Sequence, residues 1–195
     1  MTSHTKRYVK AFWALDVKRA QSRFYPAVHP LQSYAQDAQT FAPWWATQGN
    51  DQWWRLRRRF LTLLDDQAHL ERMARIIGRD ALPIRQQMTL FCAELVNDAF
   101  LRQSAFSDVD RICAPARQAA MMQLLDRFID HADNAVAAGI APQALAALPS
   151  LRSLQRMGEE IADNEPERIV ALEAALDREF AALLHDAEVA DARLR

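Results

Sequence analysis

The sequence predicts an all-α protein, a bundle of about seven mostly antiparallel helices with no confident strand. Apolar residues recur at three- and four-residue spacing over most of the chain, which is the period of a helix with one buried face. No segment alternates convincingly between apolar and polar residues, as a half-buried strand would. Glycines and prolines interrupt the pattern at short intervals, and short connections favour antiparallel neighbours.

The first helix is expected over residues 5–22. Its broad apolar face consists of Val9, Phe12, Trp13, Ala14, Leu15 and Val17. Pro26 and Pro30 then enforce an irregular stretch, because proline lacks a backbone donor and restricts the residue before it. Residues 31–47 are expected to be partly helical and to end near Gly49, at a turn that leads into the next helix.

Three longer helices are expected in the middle of the chain, over residues 52–77, from about 80 to 103, and over 115–138. Gly78 and Gly139 follow the first and the third of these, in positions typical of a residue that ends a helix. Beyond Gly139, Pro142 and Pro149 bracket a short helix. Two further helices are expected over residues 150–163 and 166–189.

The aromatic residues divide the chain into two parts. All five tryptophans and all three tyrosines lie in the first 54 residues, whereas the remainder is rich in leucine, alanine, methionine and isoleucine. Large aromatic side chains are enriched where a surface packs against a partner. The sequence therefore predicts an aromatic-rich segment over residues 1–50 and a helical bundle domain over residues 51–195.

Composition excludes several classes of protein. Half of the residues are hydrophobic and the net charge is -1, which is ordinary for a globular domain and does not indicate nucleic-acid binding. The longest apolar runs are far below the roughly 20 residues that cross a bilayer, so no membrane insertion is expected. The N-terminus lacks the apolar core of a secretory signal, and Cys92 and Cys113 are expected to be the reduced thiols of a cytoplasmic chain.

No motif for chemistry is complete within the chain. None of the four glycines is followed by lysine, so a phosphate-binding Gly-x-x-x-x-Gly-Lys loop is excluded. The metal-binding patterns Cys-x-x-Cys and His-Glu-x-x-His are also absent, as is the Gly-x-Ser-x-Gly elbow of hydrolases. The cluster of Asp126, Asp130, His131 and Asp133 is interpreted as a solvated helix face.

A basic run beside Trp53 and Trp54 leaves two interpretations open. It consists of Arg55, Arg57, Arg58 and Arg59. Interleaved arginine and tryptophan can bind single-stranded nucleic acid by charge and stacking. On a helix these residues spread over several faces, which favours a solvated patch or one that meets another protein chain.

The first 34 residues contain two stretches with an ordered motif, residues 9–16 and 23–34. They resemble the region of the catalytic subunits of rotary ATPases where a helix leads into the signature of the alpha/beta ATP synthase superfamily. The positions that fit the signature are Pro26, Ala27, Val28, His29 and Ser33. Its final serine is replaced by Ala35, so residues 1–50 resemble the end of the nucleotide-binding domain with one departure.

A second stretch resembles the C-terminal helical domain of the catalytic A subunits of V-type ATPases. The sequence of that domain is matched, in the same order, by residues 78–83, 100–106, 109–110 and Cys113. Ser104 stands where the family usually has asparagine. The resemblance spans roughly residues 5–140.

The resemblance implies an adenine pocket in the intact catalytic subunit. The family holds adenine between two aromatic rings, which here correspond to Tyr25 and to Phe106 of the Ala105-Phe106 pair, with Gln103 nearby. A flat π-surface suits an aromatic face while the phosphates are bound elsewhere. The alternative is that Tyr25 and Phe106 are ordinary core aromatics.

The resemblance also implies the larger assembly. The phosphate site, the Mg²⁺ site and the catalytic glutamate belong to an upstream domain, so ATP or ADP with Mg²⁺ is expected in the parent A subunit and no cofactor in this chain alone. Expected partners are the rest of the A subunit, the non-catalytic B subunits and the central shaft. The helical domain would couple ATP hydrolysis or synthesis to rotation and to proton or sodium transport, in a cytoplasmic head peripheral to the membrane. The alternative is a stand-alone helical adaptor.

Overall fold

The computed structural model describes the backbone of residues 8–194 and the side chains of residues 8–189. Within that range the chain forms nine α-helices, a 3₁₀ helix, one turn of π-helix and one pair of two-residue strands, so the mainly helical class is confirmed. In chain order the elements are β1 (Ala11–Phe12), α1 (Val17–Gln21), β2 (Tyr34–Ala35), the 3₁₀ helix (Ala38–Phe41), α2 (Ala42–Thr47), α3 (Trp53–Ile77), α4 (Ile84–Val96), the π turn (Asn97–Leu101), α5 (Pro115–Ala137), α6 (Pro142–Ala146), α7 (Leu151–Gln155), α8 (Met157–Glu160) and α9 (Pro166–Leu194).

The core lies between the four long helices α3, α4, α5 and α9. Helix α5 is central, because it packs against the other three and carries the largest share of buried residues. Phe128 on α5 is 1% exposed and contacts the rings of Phe91 on α4 and Phe180 on α9. One apolar stripe on each helix meets the others here, as the spacing of apolar residues predicts.

The glycines end the helices where the sequence predicts. Gly78 follows α3 with φ of 87°, and Gly139 lies just beyond α5 with φ of 75°. Positive φ is costly for residues with a Cβ atom, so glycine allows the chain to leave each helix abruptly. The expected helix over residues 150–163 is interrupted, since α7 and α8 are separated by a non-helical Arg156.

The predicted helix over residues 5–22 is wrong for most of its length. Only α1 is helical in its described part, and β1 occupies the middle. Burial there alternates from residue to residue. Ala14 is buried and Phe12 half-buried, whereas Trp13 and Leu15 are 77% and 82% exposed. The apolar residues of this segment therefore follow the period of a strand rather than that of a helix.

Long-range pairing explains this difference. Strand β1 pairs antiparallel with β2, and the backbone N–H of His29 donates to the carbonyl of Ala14 over 2.7 Å. The Asp16 carboxylate accepts hydrogen bonds from the backbone N–H groups of Lys18 and Arg19, so it caps α1 at its first turn. Pairing partners supplied from outside the segment override the helical preference of its own residues.

The acidic cluster on α5 is not a freely solvated face, and two arginines of the basic run on α3 bind it. The Arg59 guanidinium lies 2.5 Å from Asp126 and 2.6 Å from Asp130, and Arg55 lies 2.7 Å from Asp126. Asp126 is buried. Burial opposes the charge of Arg59, but hydrogen bonds to Asp126 and Asp130 raise the pKa of Arg59 above its ordinary value. The ion pairs thus tie α3 to α5.

Replacing Arg59 by methionine is expected to lower the free energy of unfolding by about 2 kcal/mol, because it removes the main partner of the buried Asp126 carboxylate. The measurement is urea denaturation followed by circular dichroism. Arg58→Met is the matched control, since Arg58 is the exposed neighbour on the same helix and should shift stability by less than about 0.5 kcal/mol. Equal effects of the two variants would contradict a structural role for the ion pairs.

Other expectations concern chemistry. Cys92 and Cys113 are both free, as expected. Among the described residues no helix is long and apolar enough to span a membrane, and no group of histidine, cysteine and carboxylate side chains is arranged for a metal. The division into domains at residue 50 stays a prediction.

Candidate functional site

The four residues assigned to an adenine pocket come together in one groove. Tyr25, Gln103, Ala105 and Phe106 all line a cavity of about 830 Å³ at the edge of the bundle. The remaining lining residues are Arg23, Pro26, Arg102, Ser104, Arg111 and Glu159. Tyr25 reaches the groove from the segment before the bundle, whereas Phe106 is carried by the loop between the π turn and α5.

Neither aromatic wall is a core residue in this chain. The Phe106 side chain is 101% exposed and that of Tyr25 is 53% exposed. Exposed aromatic rings of this size leave a large apolar area in contact with water, which a ligand or partner surface can remove. The groove therefore presents two open aromatic surfaces rather than a closed pocket.

The loop that carries Phe106 is held at its base by Gln103 and Asp110. The backbone N–H of Gln103 donates to the Tyr25 carbonyl over 2.8 Å, and its side-chain amide donates to the Asp110 carbonyl over 2.6 Å. The Asp110 carboxylate accepts from the backbone N–H of Ser104. These bonds fix both ends of the short stretch whose tip is Ala105-Phe106.

Burial raises the pKa of Asp110, although the Ser104 N–H and the nearby Arg117 oppose the rise. A Cβ atom added to Gly158 would lie 3.3 Å from the Asp110 carboxylate, so glycine leaves room for this carboxylate against α8. Asp110 is therefore a buried residue that binds the loop, and it does not line the groove.

Arg117 on α5 anchors the end of the loop. Its guanidinium is buried and donates to the carbonyls of Val109, Ile112 and Ile161 over 3.1, 2.9 and 2.5 Å. Its Nε atom lies 2.8 Å from an oxygen of Asp163, which is an ion-pair distance, although the N–H is not directed at that oxygen. One side chain therefore joins the loop, the helix and the segment that precedes α9.

The part of the groove that contains Tyr25 is shaped by a local turn. Arg23 has φ of 58°, a left-handed conformation that reverses the chain after α1. As a result Phe24 is buried while its neighbour Tyr25 faces the groove. Tyr25 and Pro26 are joined by a cis peptide bond, and the predicted signature proline lies within the groove wall itself.

The charges around the groove are mostly positive. Arg23, Arg102 and Arg111 line it together with a single carboxylate, that of Glu159. A groove with two aromatic surfaces and excess guanidinium groups suits a flat aromatic ligand that carries negative charge.

Sequence reasoning missed part of the groove. Arg23 lies within the first matched stretch and Arg111 directly after residues 109–110 of the second, but the resemblance assigns a role to neither. Glu159 arrives from α8, far along the chain, and no sequence signal connects it to Tyr25. Two residues depart from the family pattern. Ser104 lines the groove and belongs to the loop that Asp110 binds, whereas Ala35 is exposed in β2.

Comparison with known proteins gives a consistent result. The model of the family described as the C-terminal domain of V and A type ATP synthase matches residues 42–145. The A subunit of the A-type ATP synthase of Thermococcus sibiricus is 36% identical over 157 residues, which are 80% of this chain and 27% of that protein. The corresponding A subunit of Methanopyrus kandleri is 32% identical over 187 residues, 96% of this chain and 32% of that protein.

A solved structure is similar in fold. The ATP synthase subunit NeqB from Nanoarcheaum equitans superposes with a TM-score of 0.53 at 16% identity, over 66% of this chain and 29% of that chain. The chain spans between 15% and 32% of the length of the curated relatives that it matches.

Proposed function

This chain belongs to the family of C-terminal domains of V- and A-type ATP synthases, and we propose that it is the helical domain of a catalytic A subunit that forms one side of an adenine pocket. The observation that carries the proposal is the meeting of Tyr25 and Phe106 at one open groove. The two residues lie far apart in the sequence, yet each corresponds to an aromatic that the sequence resemblance assigns to adenine.

The geometry supports adenine as the ligand in three ways. The two aromatic side chains are exposed and can stack on a planar base. The Gln103 side chain lies at the groove, where its amide nitrogen donates to the Asp110 carbonyl, so stacking on the two aromatic rings would be the main contact with the base. The groove volume of about 830 Å³ lies within the range of small-molecule sites.

In the proposed assembly the chemistry takes place in another domain. Because no phosphate-binding loop lies in this chain, the phosphates of ATP or ADP and the Mg²⁺ ion would bind to the rest of the A subunit. The groove would then contribute affinity for the base, which should act on nucleotide binding more than on the chemical step.

The bundle itself would transmit the change in nucleotide occupancy. Helices α3, α4 and α5 share one continuous core with α9, so the domain can move as a unit against its neighbours. We place its partners in the remainder of the A subunit, the B subunits and the central shaft of a rotary complex. Through them ATP turnover would be coupled to shaft rotation and to proton or sodium transport, with the domain in a head peripheral to the membrane.

Replacing Phe106 by alanine in the complete complex whose catalytic subunit carries this chain is expected to raise the KM for ATP about tenfold. The turnover number should change by less than about twofold, because the lost stacking contributes to binding rather than to the transition state alone. Steady-state ATP hydrolysis measures both constants. Tyr25→Ala should change KM in the same direction.

Phe41→Ala is the matched control, since Phe41 is also exposed but does not line the groove. It should leave KM unchanged. An unchanged KM in both Phe106→Ala and Tyr25→Ala would refute the adenine pocket. It would favour the alternative of a helical adaptor, whose exposed aromatics, Trp13 among them, serve protein contacts.

A further inference from the structure

A stack of three side chains lies directly behind the Tyr25 wall of the groove. The Phe24 ring has the guanidinium carbon of Arg19 at 4.3 Å from its centroid and that of Arg102 at 5.1 Å. Phe24 is buried, although Arg23 before it and Tyr25 after it are exposed. Neither the family resemblance nor the groove lining assigns a role to Phe24 or to Arg19.

Arg19 is fixed to the bundle through Asn97 in the π turn. Arg19 donates to the side-chain oxygen of Asn97 over 2.7 Å, and the amide of Asn97 donates to Gln67 on α3 over 2.9 Å. Burial lowers the pKa of Arg19 despite the nearby Asp16, so its guanidinium is partly removed from water. A cation over an aromatic face is attracted more strongly when it is desolvated.

Arg102 connects the stack to the opposite wall. It ends the π turn, with its backbone N–H donating to the Asn97 carbonyl over 2.9 Å, and it precedes Gln103, whose N–H binds the Tyr25 carbonyl. Its side chain also lines the groove. The stack and the Gln103 bond together join the two walls at two neighbouring points.

We infer that the Arg19–Phe24–Arg102 stack sets the distance and orientation of Tyr25 relative to Phe106, which makes Phe24 and Arg19 positioning residues of the adenine groove. The inference rests on the proposed function. Tyr25 follows Phe24 directly and Phe106 lies four residues beyond Arg102, so a shift of the ring moves both walls. A pair of aromatic walls binds a planar ligand only when their faces are held at the right separation.

Arg19 offers the cleanest test, because it does not line the groove. It lines instead a separate cavity of about 490 Å³, to which Phe24 also contributes. Arg19→Gln in the complete complex is expected to raise the KM for ATP about threefold, and Phe24→Leu about fivefold, with turnover changed by less than about twofold. Arg19→Lys retains a cation over the ring and should recover most of the affinity.

Lys18→Gln is the matched control, since Lys18 lines the same cavity as Arg19 without contacting the ring. It should leave KM unchanged, and thermal unfolding should show that all variants remain folded. In a Phe106→Ala background the effect of Phe24→Leu should largely disappear, because positioning has no consequence once one wall is lost.

The outcomes separate the two proposals. If Phe106→Ala raises KM but Phe24→Leu and Arg19→Gln do not, the positioning role is overturned and the adenine groove stands. If Phe24→Leu keeps its full effect in the Phe106→Ala background, the stack acts elsewhere and the inference is also overturned. If Phe106→Ala and Tyr25→Ala both leave KM unchanged, the proposed function fails and the positioning role falls with it.

Discussion

Phe128→Ala should lower the free energy of unfolding by about 4 kcal/mol, the largest effect expected for a single core substitution in this chain. The Phe128 ring is 1% exposed and its centroid lies 5.3 Å from that of Phe180 and 6.3 Å from that of Phe91. Its loss would leave a cavity where α4, α5 and α9 meet. The surrounding helices can close such a cavity only in part, because each is also fixed by its other contacts.

Urea denaturation monitored by circular dichroism measures this effect, as a lower midpoint with an unchanged slope. Ile76→Ala is the control, since Ile76 is a large apolar residue that is 86% exposed at the end of α3. It should shift stability by less than about 0.5 kcal/mol. If Phe128→Ala cost no more than Ile76→Ala, the junction of the three helices would not be the core of the fold.

Arg117→Met is expected to be the second most damaging substitution, with a loss of about 3 kcal/mol. The change would leave the carbonyls of Val109, Ile112 and Ile161 without their donor and would leave Asp163 without its cation. The hydrogen bond to the Ile161 carbonyl is buried, and an orphaned buried acceptor costs more than the net gain from an ordinary hydrogen bond. The exposed ion pairs differ in this respect. Arg79–Glu94, for example, is largely solvated and should contribute less than about 1 kcal/mol.

Two further variants give this prediction its controls. Arg117→Lys keeps the positive charge but not the planar fork that serves several acceptors, so it should recover only part of the stability. Arg152→Met changes an exposed arginine on α7 and should be close to neutral. Full recovery by lysine would show that charge rather than the set of directed hydrogen bonds holds the loop.

The loop between the π turn and α5 contains both stabilising contacts and a residue of the proposed adenine site. Arg117 holds its end, Asp110 holds its base, and Phe106 lies at its exposed tip. Loops with few buried apolar contacts open locally at low cost, so a binding residue at such a tip needs polar bonds to hold its position. This arrangement explains why polar groups are buried beside a groove whose own walls are open.

The sequence by itself determined the long helices and the resemblance to a family. Apolar spacing predicted α3 and α5 to within a few residues of their ends, and it predicted α4 and the π turn as one helix, because an amphipathic helix repeats its own burial pattern along the chain. Gly78 and Gly139 marked two of the ends for an equally local reason, since positive φ favours glycine. The family motifs predicted Tyr25, Gln103, Ala105 and Phe106 as site residues, but they did not predict the shape of the groove.

Only the tertiary structure decided which distant residues meet. The sequence predicts a helix over residues 8–16, but in the structure this segment pairs with β2 and with His29 through backbone hydrogen bonds. The sequence also predicts solvated aspartates on α5, but Arg55 and Arg59 of α3 form ion pairs with them. The Phe24 stack depends in the same way on Arg102, which the chain reaches much later. The spacing of apolar residues within a segment indicates which side of a helix or strand is buried. The stability of a strand pair or an ion pair also depends on the residues of the partner segment, so the sequence of one segment alone does not determine it.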